Sequence, residues 1–138
     1  MIKTGAGTLI LYGNNTYQGA TTINAGILQL GNGGTSGNLS TSSAITVNGT
    51  LAFNRSNDVV QGTHFSTAAI AGTGSLIQIG AGTLTLNAVN TYSGGTTINS
   101  GTLVIGNSNA AGSGTITQTD ATSLLKFDTT GTIANAMS

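Results

Sequence analysis

Short runs in which apolar and polar residues alternate recur along the chain, as in Leu28-Gln29-Leu30 and Leu84-Thr85-Leu86, separated by Gly- and Asn-rich turns. A period of two puts successive side chains on opposite faces of an extended backbone, so the pattern predicts strands with one buried face. The strands come in pairs around tight turns. Thr21-Thr22-Ile23, Asn24-Ala25-Gly26 and Ile27 to Leu30 form the first set, and Ala44 to Val47, Asn48-Gly49 and Thr50 to Phe53 the second. A third runs from Ala68 to Ile79 around Gly72-Thr73-Gly74. Thr96 to Ile98 with Thr102 to Ile105 follows, and Thr115 to Thr117 with Ser123 to Phe127 is the loosest. No stretch has helical periodicity, and there is no Pro.

Such strands fit a sandwich or a solenoid, and the spacing favours the solenoid. A sandwich turns every 8 to 12 residues or so without needing similar successive strands, whereas these sets recur at about 19 to 27 residues. Residues 5–32 also return 75 positions later as residues 80–107, with 18 of 28 positions identical, and Ile2 falls on Ile77. A coil that stacks its turns about 4.8 Å apart places like residues over one another. The expected fold is all-β, a right-handed single-stranded parallel β-helix of about five rungs, with Ile23 over Val47, Leu28 over Leu51 and Ile98 over Ile116. Asn at the turns is expected to form amide ladders, and Asn or Gly to supply left-handed corners. The opening residues read as the tail of a strand, so the chain is expected to be a piece cut in mid-repeat.

Composition narrows the function classes. Gly, Thr, Asn and Ser account for 74 of 138 residues, and 4% are charged against about 25% in an ordinary soluble domain. On stacked strands a repeated charge would sit beside its own copy, while Thr stacks without that cost. Twelve Leu and twelve Ile argue against disorder. Lys3, Arg55 and Lys126 are the only permanent cations and the net charge is zero, so no basic surface for nucleic acid or acidic lipid is expected. Apolar runs of four or five residues, such as Leu9 to Tyr12, are far short of a membrane span, and the amino terminus has no signal-peptide core. The absence of Cys removes disulfides and thiolate chemistry.

The segments GAGTLTL, NTYSGGTTI, NSGTLVIGN and GNGGTSGNL resemble the autotransporter-associated β-strand repeat, also called the passenger-associated transport repeat. On this reading residues 1–138 are one β-helix segment with two copies of the repeat, 2–40 and 77–107, and connecting rungs between them. The resemblance implies the passenger of a type V secretion protein, exported to the cell surface through a carboxy-terminal outer-membrane β-barrel. The segment is then expected to be the stalk and transport or folding element of an adhesin. Its partners would be neighbouring rungs of the parent passenger and that barrel. The alternative is an adhesive module in its own right, binding a host surface glycan or another copy of itself.

Candidate chemistry is sparse. Asp58, Asp120 and Asp128 are the only acids, and only Asp120 and Asp128 are candidates to meet across a rung. Arg55 and Asp58 are spaced for a local ion pair, and His64 lies near Ser66 and Asp58, yet a triad needs an oxyanion hole and mutual geometry that proximity does not supply. One His without Cys or Glu makes no zinc set, and Gly5-Ala6-Gly7 and Gly80-Ala81-Gly82 lack the remainder of a nucleotide loop. No enzyme, cofactor or metal site is therefore expected. Tyr17 and Tyr92 precede Gly-rich turns at equivalent positions and are the candidate ligand contacts, with turn anchoring as the simpler role. An ice-binding solenoid would require regular Thr-x-Thr rungs, which the sequence lacks.

Overall fold

The computed structural model describes residues 1–138 and contains thirteen short strands and no helix. In chain order they are β1 (Ile2–Lys3), β2 (Thr8–Leu11), β3 (Thr21–Ile23), β4 (Ile27–Leu30), β5 (Ile45–Val47), β6 (Thr50–Phe53) and β7 (Val59–Val60). Then come β8 (Ser75–Gln78), β9 (Thr83–Leu86), β10 (Thr96–Ile98), β11 (Thr102–Ile105), β12 (Ile116–Gln118) and β13 (Leu124–Phe127). Every pairing is parallel. One sheet of six stacks the even-numbered strands β2 to β12, and β1-β3-β5 and β7-β9-β11-β13 form the other two. The chain is a parallel β-helix of six turns. The turn beyond the expected five is the first, where β1 and β2 complete a rung.

Columns of like residues run along the interior. Leu9, Leu28, Leu51 and Leu76 stack in register, followed by Thr96 and Ile116. On the neighbouring face Val59, Leu84, Leu103 and Leu125 do the same. Twenty-one buried residues form one core, and each fully buried aliphatic contributes about 1.5–3 kcal/mol. Ile23 lies over Val47 and Leu28 over Leu51 as expected. Ile98 does not lie over Ile116. It pairs with Gln118, and Ile116 sits on Thr96. A slip of two residues keeps the same face inward, so the hydrophobic pattern does not distinguish these registers.

The corners also differ from expectation. Ten residues have left-handed φ and all are Gly. Asn therefore keeps ordinary backbone, and its amide serves a different purpose. Asn48 Oδ1 accepts from the Thr73 N–H, Asn14 Oδ1 accepts from the Asn38 N–H, and Asn99 Oδ1 accepts from the Thr119 hydroxyl. These corner amides bond the backbone or a hydroxyl of the next turn rather than an amide stacked above.

The two copies of the repeat occupy different faces. Thr8–Leu11 lies in the six-stranded sheet, but its equivalent Thr83–Leu86 lies in the four-stranded one. Thr21–Ile23 lies in the three-stranded sheet and its equivalent Thr96–Ile98 in the six-stranded one. Three turns carry Leu9 to Leu76, so a step of 75 residues overshoots onto the next face.

Candidate functional site

Most recurring residues of the repeat build corners. A chain that turns between faces presents carbonyls that no strand satisfies, and buried carbonyls need donors. In the first copy the ammonium of Lys3, 7% exposed, donates to the carbonyls of Thr4 at 2.9 Å, Gly5 at 2.7 Å and Ala25 at 3.1 Å. In the second copy Gln78 holds the equivalent position and donates through Nε2 to the carbonyls of Gly80 at 2.9 Å and Gly82 at 3.0 Å. Gln29 and Gln118 close two other corners in the same way, on the carbonyls of Gly31 and Ser123. Gly26 and Gly101 of the following turn then lie flat against these carbonyls, with φ of +69° and +67°. These corner donors escaped the sequence reading, although the alignment of Lys3 with Gln78, each two residues before Gly-Ala-Gly, was there to be seen.

Tyr17 and Tyr92 are anchors of the same kind in both copies. The hydroxyl of Tyr17 shares a 2.8 Å hydrogen bond with Thr21 Oγ1, and that of Tyr92 a 2.6 Å bond with Thr96 Oγ1. Tyr92 is wholly buried, and burial pushes its pKa well above the ordinary phenol value. Tyr17 is half-buried on the first turn, with its pKa raised by the same cause. Because the copies are rotated, Tyr17 leads into the three-stranded sheet and Tyr92 into the six-stranded one. The two rings share no face, and that of Tyr92 offers no surface to a ligand.

The structure does not assemble the other candidates. Asp58 and Asp128 are exposed, and Asp120 caps its own turn by accepting from the Thr122 N–H and hydroxyl, both at 2.8 Å. Those two bonds lower its pKa. Arg55 is 3% exposed and does not turn to Asp58. Its guanidinium donates to Asn57 Oδ1 at 3.0 Å, to the Thr35 carbonyl at 2.7 Å and to Asn38 Oδ1. His64 Nδ1 accepts from the Val60 N–H at 3.0 Å, while Ser66 closes a turn with Ala68. No hydrogen bond joins His64 to Ser66 or Asp58, so no triad exists. Partial burial and the Arg55 charge lower the His64 pKa. No three His, Asp or Glu side chains converge.

Two clefts open on the outside. The larger, 460 Å³, lies between Asn90, Asn109 and Asn135 of successive turns. Two of its amides are already engaged. Asn90 is paired with Gln61 and donates to the Ala110 carbonyl, and Asn135 donates to the carbonyls of Gly112 and Gly114. The smaller, 280 Å³, is lined by Tyr12, Asn32, Gly34 and Ser36.

Residues 1–30 and 76–105 match the passenger-associated-transport repeat, a match that takes in the Lys3 and Gln78 corners and both tyrosine anchors. The chain carries this transport repeat twice. Over 62 residues, 45% of the chain, it is 48% identical to the adhesin BmaC autotransporter of Brucella suis biovar 1 (strain 1330), and it spans 2% of that relative's length. No solved structure matches the chain. With the repeat and the relative together, the chain is a β-helical segment that carries two passenger-associated-transport repeats and is similar, over 62 residues, to an autotransporter. Within the transport repeat the recurrent Tyr and Thr positions bond to one another and the recurrent Gly positions pack on the neighbouring turn of the protein itself.

Proposed function

We propose that this segment is part of the shaft of a surface-displayed or secreted passenger, where it spaces the adhesive regions of an adhesin from the outer membrane and adds turns as the chain emerges. The observation that carries the reading is the continuity of the interior columns over six turns, each new turn templated by hydrogen bonds to the last. A fold whose turns touch only their neighbours can propagate from one end, which suits a chain delivered progressively through a barrel. The 48% identity to an adhesin autotransporter supports the setting. The role is structural rather than catalytic, and the segment's partners are the adjoining rungs and the barrel of the parent protein.

The test is to exchange residues 1–138 in the full-length parent for six turns of an unrelated parallel β-helix. A shaft predicts that surface display and adhesion both survive the exchange. Display with lost adhesion would mean that the segment itself binds, and lost display would assign it a sequence-specific export role.

A further inference from the structure

We propose that Tyr12, Asn32 and Ser36 form a subsite for a neutral pyranose ring of a glycan. The proposal rests on the reading of this segment as part of an exposed passenger. Tyr12 follows β2, where Leu9 and Leu11 continue the interior columns and Ile10 faces out, so position 12 points outward by the period of the strand. Its ring is 69% exposed and, unlike Tyr17 and Tyr92, its hydroxyl has no intramolecular partner. The second copy of the repeat has Asn87 at this place. Tyr12 therefore has no share in the corner-building that the two copies have in common.

The loop Gly31 to Ser36 of the next turn supplies the opposite wall. Ser36 Oγ donates to the Tyr12 carbonyl at 2.8 Å, which ties the loop to the tyrosine and leaves the oxygen free to accept. Asn32 is exposed and its amide makes no intramolecular hydrogen bond, so both its donor and acceptor are free. The loop is held from below. Gly33 N–H donates to the Asn54 carbonyl, Ser56 N–H to the Gly34 carbonyl, and buried Arg55 to the Thr35 carbonyl. Rigid walls reduce the ordering cost of binding.

These parts suit a sugar. The negative face of an aromatic ring attracts the polarised C–H groups on one side of a pyranose, while an amide and a hydroxyl address its ring-edge hydroxyls. A cleft of 280 Å³ lies just under the roughly 300–1,000 Å³ of sites for drug-sized ligands, which is room for one ring. The lining carries no charge, so the sugar is neutral.

The experiment is amide-resolved NMR titration of the chain with neutral methyl pyranosides and with an acidic sugar as a separate arm. Binding in the millimolar range is expected, with shifts confined to Tyr12, Asn32, Gly34 and Ser36. Tyr12→Ala should weaken it at least tenfold and Asn32→Ala several-fold, whereas Tyr12→Phe keeps the ring and most of the affinity. Tyr12 is outside the core, and an unchanged spectrum elsewhere confirms folding of each variant. No shifts at this cleft, shifts that persist in Tyr12→Ala, or a preference for the acidic sugar would overturn the proposal. Because the readout is the chain in solution, its failure leaves the shaft reading untouched, and failure of the shaft exchange leaves this measurement standing.

Discussion

Replacing Gly101 by Ala separates the two demands that a solenoid corner places on glycine. Its φ of +67° is left-handed, and a Cβ there would meet the carbonyl oxygens of Gly80 and Gly82 well inside contact distance, with the Ala81 carbonyl carbon at 2.9 Å. The left-handed backbone alone costs an L-residue about 1–2 kcal/mol. Forcing the extra carbon against backbone that cannot swing aside adds about 1–3 kcal/mol, less about 0.4–1 kcal/mol for the lower entropy of the unfolded alanine chain. The expected loss is thus about 1–4.6 kcal/mol, with a midpoint of about 3 kcal/mol. Gly33 is the control, since its φ of +81° is equally left-handed but nothing lies within 4 Å of the Cβ position. Gly33→Ala should cost no more than about 1.5 kcal/mol on the same figures. Urea unfolding followed by circular dichroism gives both values, and an unchanged slope keeps the comparison within one cooperative unit. Equal losses at the two positions would refute the claim that close stacking of turns, rather than backbone conformation, requires Gly101.

Other expectations follow from the same contacts. Gln78→Leu should cost about 1–3 kcal/mol by stranding corner carbonyls, while Lys3→Gln should be nearly neutral in urea unfolding because glutamine does the same work in the second copy. Tyr92→Phe should cost about 0.5–1.5 kcal/mol for its hydroxyl bond and Tyr92→Ala about 3–5 kcal/mol, with smaller losses at half-buried Tyr17. His64 titrates below its ordinary 6.5 in the folded chain, so the native state holds fewer protons than the unfolded one. Its contribution is complete above that value and is lost as pH falls from it through the folded pKa; unfolding curves across this range should flatten in His64→Gln.

Much of the fold was legible in the sequence because the interior repeats itself. Period-two strands, the 75-residue recurrence and the pairs Ile23 with Val47 and Leu28 with Leu51 all follow from like residues stacking on like. The failures share a cause, in that alignment by sequence is not alignment in space. Ile98 was set against Ile116 because both are aliphatic, yet turns of unequal length bring Gln118 there. Rotation of the second copy onto the next face depends on the lengths of loops that carry no periodic signal. The buried posts of Lys3 and Arg55 were hidden for another reason, since a lone cation gives no sign in sequence that carbonyl oxygens await it.

Rotation also tells which residues of the repeat answer to the scaffold. The same motif works on two different faces of the coil, so the shared residues of its strands and corners act locally, on the corner and on the turn beneath. Among inward strand positions the copies differ where the corner donor Lys3 becomes Gln78 and where Leu30 becomes Ile105, an aliphatic exchange. They differ freely where side chains point out: Ile10 against Thr85, Tyr12 against Asn87, Gln18 against Ser93, Gln29 against Val104. The outward column of the six-stranded sheet reads Ile10, Gln29, Ala52, Ile77, Thr97, Thr117, which is no regular threonine array of the kind an ice-binding face requires. Recognition of something outside the protein therefore needs a position where the two copies diverge, and of these Tyr12 alone places an aromatic ring in a cleft, beside Asn32, whose counterpart Asn107 lacks such a ring.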